Sequence, residues 1–148
     1  MKIVFMGTPR FALPSLKSLI EDEEIVGVVT CPDRPKGRGR RVEPSPVKVI
    51  ADKYCLPICQ PTDLCHSQFR DWLRERTPEI IIVVAYGRIL PPDILHSFPL
   101  GCLNAHASLL PRYRGAAPIE RVIIKGEKKT GVTIICMSEG IDEGDIFL

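Results

Sequence analysis

Residues 80 to 84 read Ile-Ile-Ile-Val-Val, and with Ala85 and Tyr86 they form the longest uninterrupted apolar run in the chain. Side chains branched at Cβ fit the pleat of a strand better than the interior of a helix. A strand with one wet face alternates apolar and polar residues, whereas an unbroken apolar strand needs cover on both faces. Parallel sheets supply that cover, because each crossover lays a helix across one face. The run is far shorter than the roughly 20 residues needed to cross a bilayer.

The rest of the chain repeats this theme. Lys2 to Met6 is a short buried strand that ends in the turn Gly7-Thr8-Pro9. Leu13, Leu16, Leu19 and Ile20 follow at helical spacing within Ala12 to Ile20. Glu24 to Thr30 is a second strand, and 31 to 44 is a polar loop. Ser45-Pro46 has the form of a helix start, with a capping Ser and Pro in the first turn. Further strands are predicted over 56–59, 79–85, 101–107 and 131–137, and helices over 63–76, 91–97 and 116–125. This alternation predicts an α/β fold with a doubly wound, mostly parallel sheet. Ligands of such sheets bind beyond the carboxyl ends of the strands. The segments to inspect are therefore Gly7-Thr8-Pro9, Tyr86-Gly87-Arg88, His106-Ala107-Ser108 and Gly140-Ile141-Asp142. The chain ends on the apolar Ile146-Phe147-Leu148, which predicts that it is part of a longer protein whose last strand and covering helix lie beyond.

Several chemistries are disfavoured. The first turn is not G-x-G-x-x-G: Pro9 stands where a dinucleotide needs the second glycine, and Thr30 and Cys31 stand where it needs an acid. The six cysteines contain no C-x-x-C pair, and the cluster Cys55, Cys59, Cys65, His66 lacks the spacing of common zinc sites. The acidic stretch Ser138 to Asp145 does not fit an EF-hand. The first residues lack the form of a secretory signal, so a cytoplasmic protein with no membrane partner is expected. Net charge is only +2, yet Arg34, Lys36, Arg38, Arg40 and Arg41 crowd one Gly- and Pro-containing stretch that has no acid inside it.

Asn104-Ala105-His106 carries the sharpest signal. Residues two apart on a strand share a face, so the amide and the imidazole point into one space. Such a pair suits a carbonyl oxygen that gains negative charge, since both can donate hydrogen bonds. A strand-end turn with a surface histidine fits the spacing equally well. The loop Ser108 to Pro118 carries Arg112 and Arg114 and opens a helix, and one carboxylate of the following acidic loop is placed to reach His106.

Taken together, these segments resemble the folate-dependent formyltransferase family. Asn104-Ala105-His106 with Ser108-Leu109-Leu110-Pro111 is similar to the family's N-x-H…SLLP signature, and Asp142 falls on the third member of its Asn–His–Asp set. The stretches 112–119, 6–9, 85–91 and 33–48 resemble the branch that formylates methionyl-tRNA. Ala105 stands where the family usually has a larger aliphatic residue, a change of packing rather than of chemistry. The resemblance implies a Rossmann-like catalytic domain over residues 1–148, incomplete at its C-terminal end, and a β-barrel tRNA-binding domain that this chain does not contain. It implies a monomer that takes formyl from 10-formyltetrahydrofolate, without a metal, and passes it to initiator methionyl-tRNA. Asn104 and His106 would be the oxyanion donors and Asp142 would orient His106. Tyr86, Gly87, Arg88, Ile89, Leu90 and Pro91 would hold the folate, with Ser108, Leu109, Leu110 and Pro111 lining the same cleft. Arg34, Lys36, Arg38, Arg40 and Arg41 would meet tRNA on a loop that becomes ordered on the nucleic acid. A sister enzyme acting on a small amine, and a non-catalytic folate- or RNA-binding module, are the alternatives.

Overall fold

The computed structural model describes residues 1–36 and 41–148, with the backbone alone given for Lys36 and Arg41. Strands β1 (Lys2–Gly7), β2 (Glu24–Val29), β3 (Arg34–Lys36), β4 (Arg41–Glu43), β5 (Ile58–Cys59), β6 (Ile80–Val84), β7 (Cys102–His106) and β8 (Thr133–Cys136) alternate with helices. The helices are α1 (Leu13–Asp22), α2 (Pro46–Lys53), α3 (Ser67–Glu75), α4 (Pro92–Leu95) and α5 (Pro118–Ile124). Six strands form one sheet in the order β5-β2-β1-β6-β7-β8, and β3 pairs with β4 in a separate antiparallel ribbon.

The central strands explain the apolar runs. Ile3 and Phe5 of β1 face a core that contains Leu16 of α1 and Val47 and Ala51 of α2, while Val4 and Met6 face one that contains Phe69 and Leu73 of α3. In β6, Ile80 and Val84 join the first core, and Ile81 and Val83 the second. Both faces are covered, so alternation of polarity is lost, as the sequence implies. Gly7 is required by close approach. A Cβ there would lie 2.8 Å from Phe5 Cε1, 2.9 Å from Ala12 Cβ and 3.0 Å from the Val84 carbonyl oxygen. The single turn of 3₁₀ helix over Arg10–Ala12 is thereby pressed onto the end of the strand. Ser45 caps α2 as its sequence predicts, its Oγ accepting from the Lys48 backbone N–H at 3.0 Å.

One expectation is corrected. The polar loop over 31–44 contains the β3–β4 ribbon, in which Arg34 pairs with Glu43 and Pro35 with Val42. Such short, polar strands give no apolar alternation to read. The sheet is mostly parallel, as expected, and within it β8 runs antiparallel to β7, with His106 opposite Thr133 and Leu103 opposite Cys136. It is a one-faced strand, with Thr133 and Ile135 buried and Cys136 exposed. The direction of a strand is not encoded in its apolar content, and 26 residues of loop and short helix separate β7 from β8.

Candidate active site at the edge of the central strands

The cleft lies where the sequence places it, beyond the carboxyl ends of β6 and β7. It has a volume of about 680 Å³, and its walls include Val83, Leu90, Leu95, Met137 and Ile141 together with the backbone of 85–89. Asn104 and His106 line it. The residue between them, Ala105, packs against the opposite core.

Asp142 joins the pair. Asn104 Nδ2 donates to its Oδ1 at 3.2 Å, and His106 Nδ1 lies 3.3 Å from its Oδ2. The Gly115 backbone N–H also donates to Oδ2, at 2.8 Å. His106 and Asp142 are only 6% and 11% exposed, so the charge is held in a poorly solvated site by three donors. The other imidazole nitrogen, Nε2, sits 3.1 Å from the carbonyl oxygen of Tyr113. Each ring nitrogen thus faces an oxygen that can only accept. Both contacts are hydrogen bonds only when both nitrogens carry hydrogen.

Asp142 reaches this point by an indirect route. Because β8 is antiparallel, the loop after it starts beside Cys102, where the Met137 N–H donates to the Cys102 carbonyl. The chain returns through Asp145, whose carbonyl accepts from the Cys136 N–H at 2.9 Å, and Ile146 bridges to Ile135. Residues 137–145 are therefore an excursion with both ends fixed, and Asp142 is carried on it.

The cleft concentrates unusual backbone. Ala85, Tyr113, Ala117 and Asp142 all adopt left-handed φ values, between 47° and 61°. Each costs on the order of 1–2 kcal/mol for a residue with a side chain. Such costs persist where surrounding contacts over-determine the conformation. Those contacts are visible. Ser108 Oγ donates to the Arg112 carbonyl at 2.6 Å, Thr133 Oγ1 donates to the Ser108 carbonyl at 2.7 Å, and the Leu110 N–H donates to Thr133 Oγ1 at 3.1 Å. Tyr113 Oη donates to Glu127 at 2.7 Å; this bond, then the Arg112 contact, holds that carboxyl below its ordinary range, and the same bond to Glu127 raises the phenol. Thr133 and Glu127 carry no sequence signal for this role. Only the fold brings them under the loop.

The other expected site residues divide. Tyr86, Gly87, Arg88, Ile89 and Leu90 line the cleft, whereas Pro91 caps α4. Arg88 is turned away from the cleft's polar corner, its Nη1 donating to the carbonyls of Pro61 and Thr62 at 2.9 and 3.0 Å. The Tyr86 side chain is buried, and burial pushes its phenol up to about 12. Ser108, Leu109, Leu110 and Pro111 are not on the cleft wall, contrary to expectation. Ser108 is buried and bonded to Arg112 and Thr133, and the Leu110 N–H bonds to Thr133, so these two support the loop, while Leu109 and Pro111 are exposed. Of the basic cluster, Arg34 is exposed on β3, Lys36 and Arg41 lie on the ribbon by backbone, and Arg38 and Arg40 fall outside the described residues. Among the described residues no three His, Cys, Asp or Glu side chains gather as metal ligands, and no helix is long and apolar enough to cross a membrane. His66, part of the cysteine-rich cluster, instead caps α3 by accepting from the Gln68 N–H.

A family profile described as formyl transferase matches residues 1–148. The chain belongs to the formyl transferase family. It is 56% identical, over its whole length, to the methionyl-tRNA formyltransferase of Desulforamulus reducens, and 54% identical to that of Pelotomaculum thermopropionicum. It covers 47% and 48% of those proteins, so it spans about half the length of the curated relatives it matches. The formyl transferase fold is found again in the crystal structure of phosphoribosylglycinamide formyltransferase from Bacillus halodurans. That structure is matched at a TM-score of 0.80 and 21% identity, over 100% of this chain and 77% of that one. A formyltetrahydrofolate deformylase from Pseudomonas syringae matches at a TM-score of 0.74 and 19% identity, over 98% of this chain and 48% of that one. At these identities the likeness shows the fold alone.

Proposed function

We propose that this chain is the formyl-transferring part of an enzyme that moves formyl from 10-formyltetrahydrofolate to the α-amine of initiator methionyl-tRNA. The reading rests on one conjunction: whole-chain identity above 50% to methionyl-tRNA formyltransferases, and an Asn–His–Asp cluster set into an apolar cleft. The cleft's apolar walls, with residues 85–89 along them, suit a flat heterocycle that is held mainly by contact area.

The residues divide the chemistry between them. When the amine attacks the formyl carbon, the carbonyl electron pair moves onto oxygen. Asn104 has one amide hydrogen on Asp142 and a second to donate to that oxygen. His106 donates from Nε2 after exchanging the Tyr113 carbonyl for the substrate oxygen. Asp142 accepts from both donors, fixing their directions, and takes up the amine proton through water. The oxyanion then collapses, the formyl carbon leaves the carrier's nitrogen, and that nitrogen takes up, through water, the proton that Asp142 had accepted from the amine.

The basic ribbon, with Arg34, Lys36, Arg38, Arg40 and Arg41, is the tRNA-facing element in this reading. The remaining half of the relatives' length is the place for a second, tRNA-binding domain. The enzyme acts in the cytoplasm as a monomer. The direct test incubates the full-length parent with 10-formyltetrahydrofolate and charged initiator tRNA and measures formylmethionyl-tRNA by acid-gel shift. Formylation of a small amine acceptor with none of methionyl-tRNA would transfer the assignment to a sister enzyme.

A further inference from the structure

Among the described residues the ribbon β3–β4 pairs as a ladder with itself, and Val42 is 65% exposed. An element without a buried apolar face takes its direction from its roots. Both roots are fixed here by polar contacts to three different elements. Gln60, just after β5, donates through Nε2 to the Cys31 carbonyl at 2.9 Å and to Asp33 Oδ1 at 2.7 Å. Lys48, in the first turn of α2, donates through Nζ to Asp33 Oδ2 at 2.6 Å and to Gln60 Oε1 at 2.8 Å. On the returning side, Ser45 Oγ shares a hydrogen with Thr30 Oγ1 at 2.7 Å while it caps α2.

Asp33 and Lys48 are each 24% exposed. A partly solvated pair of this kind adds little to stability. Its geometry is more informative than its energy. Both Asp33 oxygens are engaged, and they are engaged by α2 and by the residue after β5, so the chain entering β3 cannot pivot about either one alone. The roots also wall a chamber of about 390 Å³ that includes Thr8, Cys31, Arg34, Glu43 and Ser45. This chamber shares Pro9, Ala85, Tyr86 and Gly87 with the main cleft. The angle of the ribbon thus sets the approach of anything that lies along it toward Asn104 and His106.

We propose that Asp33, Lys48 and Gln60 form a polar lock that aims the basic ribbon. They are positioning residues for a polynucleotide acceptor and have no contact with it. The inference rests on the tRNA reading of the ribbon given above. Its distinctive consequence is a sign. Asp33→Asn removes a negative charge close to a cluster of cations, and simple electrostatics then expects tighter binding of a polyanion. The lock expects weaker binding, because the amide cannot accept at both positions.

The experiment measures kcat and KM for methionyl-tRNA, and tRNA affinity across a salt series, in the full-length parent and in Asp33→Asn, Lys48→Met, Gln60→Leu and Arg38→Ala. The three lock variants should raise the tRNA KM by roughly threefold to tenfold, as expected for a loss of positioning rather than of contacts. They should leave kcat at saturating tRNA and the KM for the formyl donor close to the parent's, which also shows that they fold. Their salt slopes should equal the parent's, whereas a lost phosphate contact lowers the slope by about 0.9. Asp33→Asn binding tRNA as tightly as the parent or tighter, or Lys48→Met losing a unit of slope, overturns the lock. If that happens while Arg38→Ala still weakens binding, the tRNA reading stands and the lock alone falls. A parent that does not formylate tRNA removes both.

Discussion

Two polar clusters, one lining the cleft and one at the roots of the ribbon, are built on opposite terms. Asn104, His106 and Asp142 are nearly sealed, with His106 6% exposed, and are carried on a buried strand and on an excursion with fixed ends. Asp33 and Lys48 are about a quarter open to water, and with Gln60 they tie together loop, helix and strand ends. In a poorly solvated site a hydrogen bond is strong, and losing a partner leaves a charge that nothing else solvates. In a wet site water replaces the lost partner at little cost. The first cluster should therefore govern the rate of the chemical step, and the second the geometry of what approaches it.

The widest separation between the clusters should appear in turnover. Asn104→Ala and His106→Ala each remove an assigned oxyanion donor, and such losses cost on the order of 10²–10³ in kcat. Binding of the formyl donor should hold, since apolar walls and backbone line most of the cleft. Single-turnover rates and donor affinity, measured together, check this. If either variant turns over near the parental rate, the sealed cluster is structural and the contrast with the lock disappears.

A smaller effect tests why the sealed cluster stays in place. Thr133 is buried, and its hydroxyl both donates to the Ser108 carbonyl and accepts from the Leu110 N–H. Thr133→Val keeps the shape and leaves both backbone groups without a partner. The cost should be about 1–3 kcal/mol, read as a fall in the denaturation midpoint. Because the loop from Ser108 to Tyr113 supplies the carbonyl that faces His106, kcat should fall with it. An unchanged midpoint would mean that the loop is held by other contacts.

The sequence exposed these two clusters unequally. Asn104 and His106 sit two apart on a strand, so period two alone puts them on one face, and the fold places both against Asp142. The lock was hidden because Asp33, Lys48 and Gln60 belong to three elements, and no periodicity links residues that meet only after β2, β5 and α2 are assembled. The central strands were legible for a similar reason. Ile80 to Val84 is apolar throughout because two cores press on it. The antiparallel sense of β8 was not, since Thr133 to Cys136 has the same composition in either direction. Ser108 to Pro111 resembles the family signature in sequence, yet in the structure the buried Ser108 is tied to the Arg112 carbonyl and none of the four lines the cleft.

The least effect should come from acid, and it belongs to the lock. Hydrogen bonds from Lys48, then from Gln60, hold the Asp33 carboxyl below its ordinary range. A carboxyl lowered in the folded state stabilises the fold at every pH above its unfolded value, about 3.9. That contribution declines as pH falls through the folded value, and below it the carboxyl is protonated in both states. Lys48→Met removes the first of these causes. The melting temperatures of parent and variant should therefore differ by a constant small amount from pH 7 down to about pH 5. The pair contributes at most about 1 kcal/mol, so the gap should be no more than about 2–4 °C. It should then close as the solution is acidified through the carboxylate range. Asp33→Asn should follow the same curve, since it deletes the titrating group itself. A gap that persists undiminished at low pH would mean that Lys48 stabilises α2 by packing along its stem, and that the Asp33 contact adds nothing to the fold.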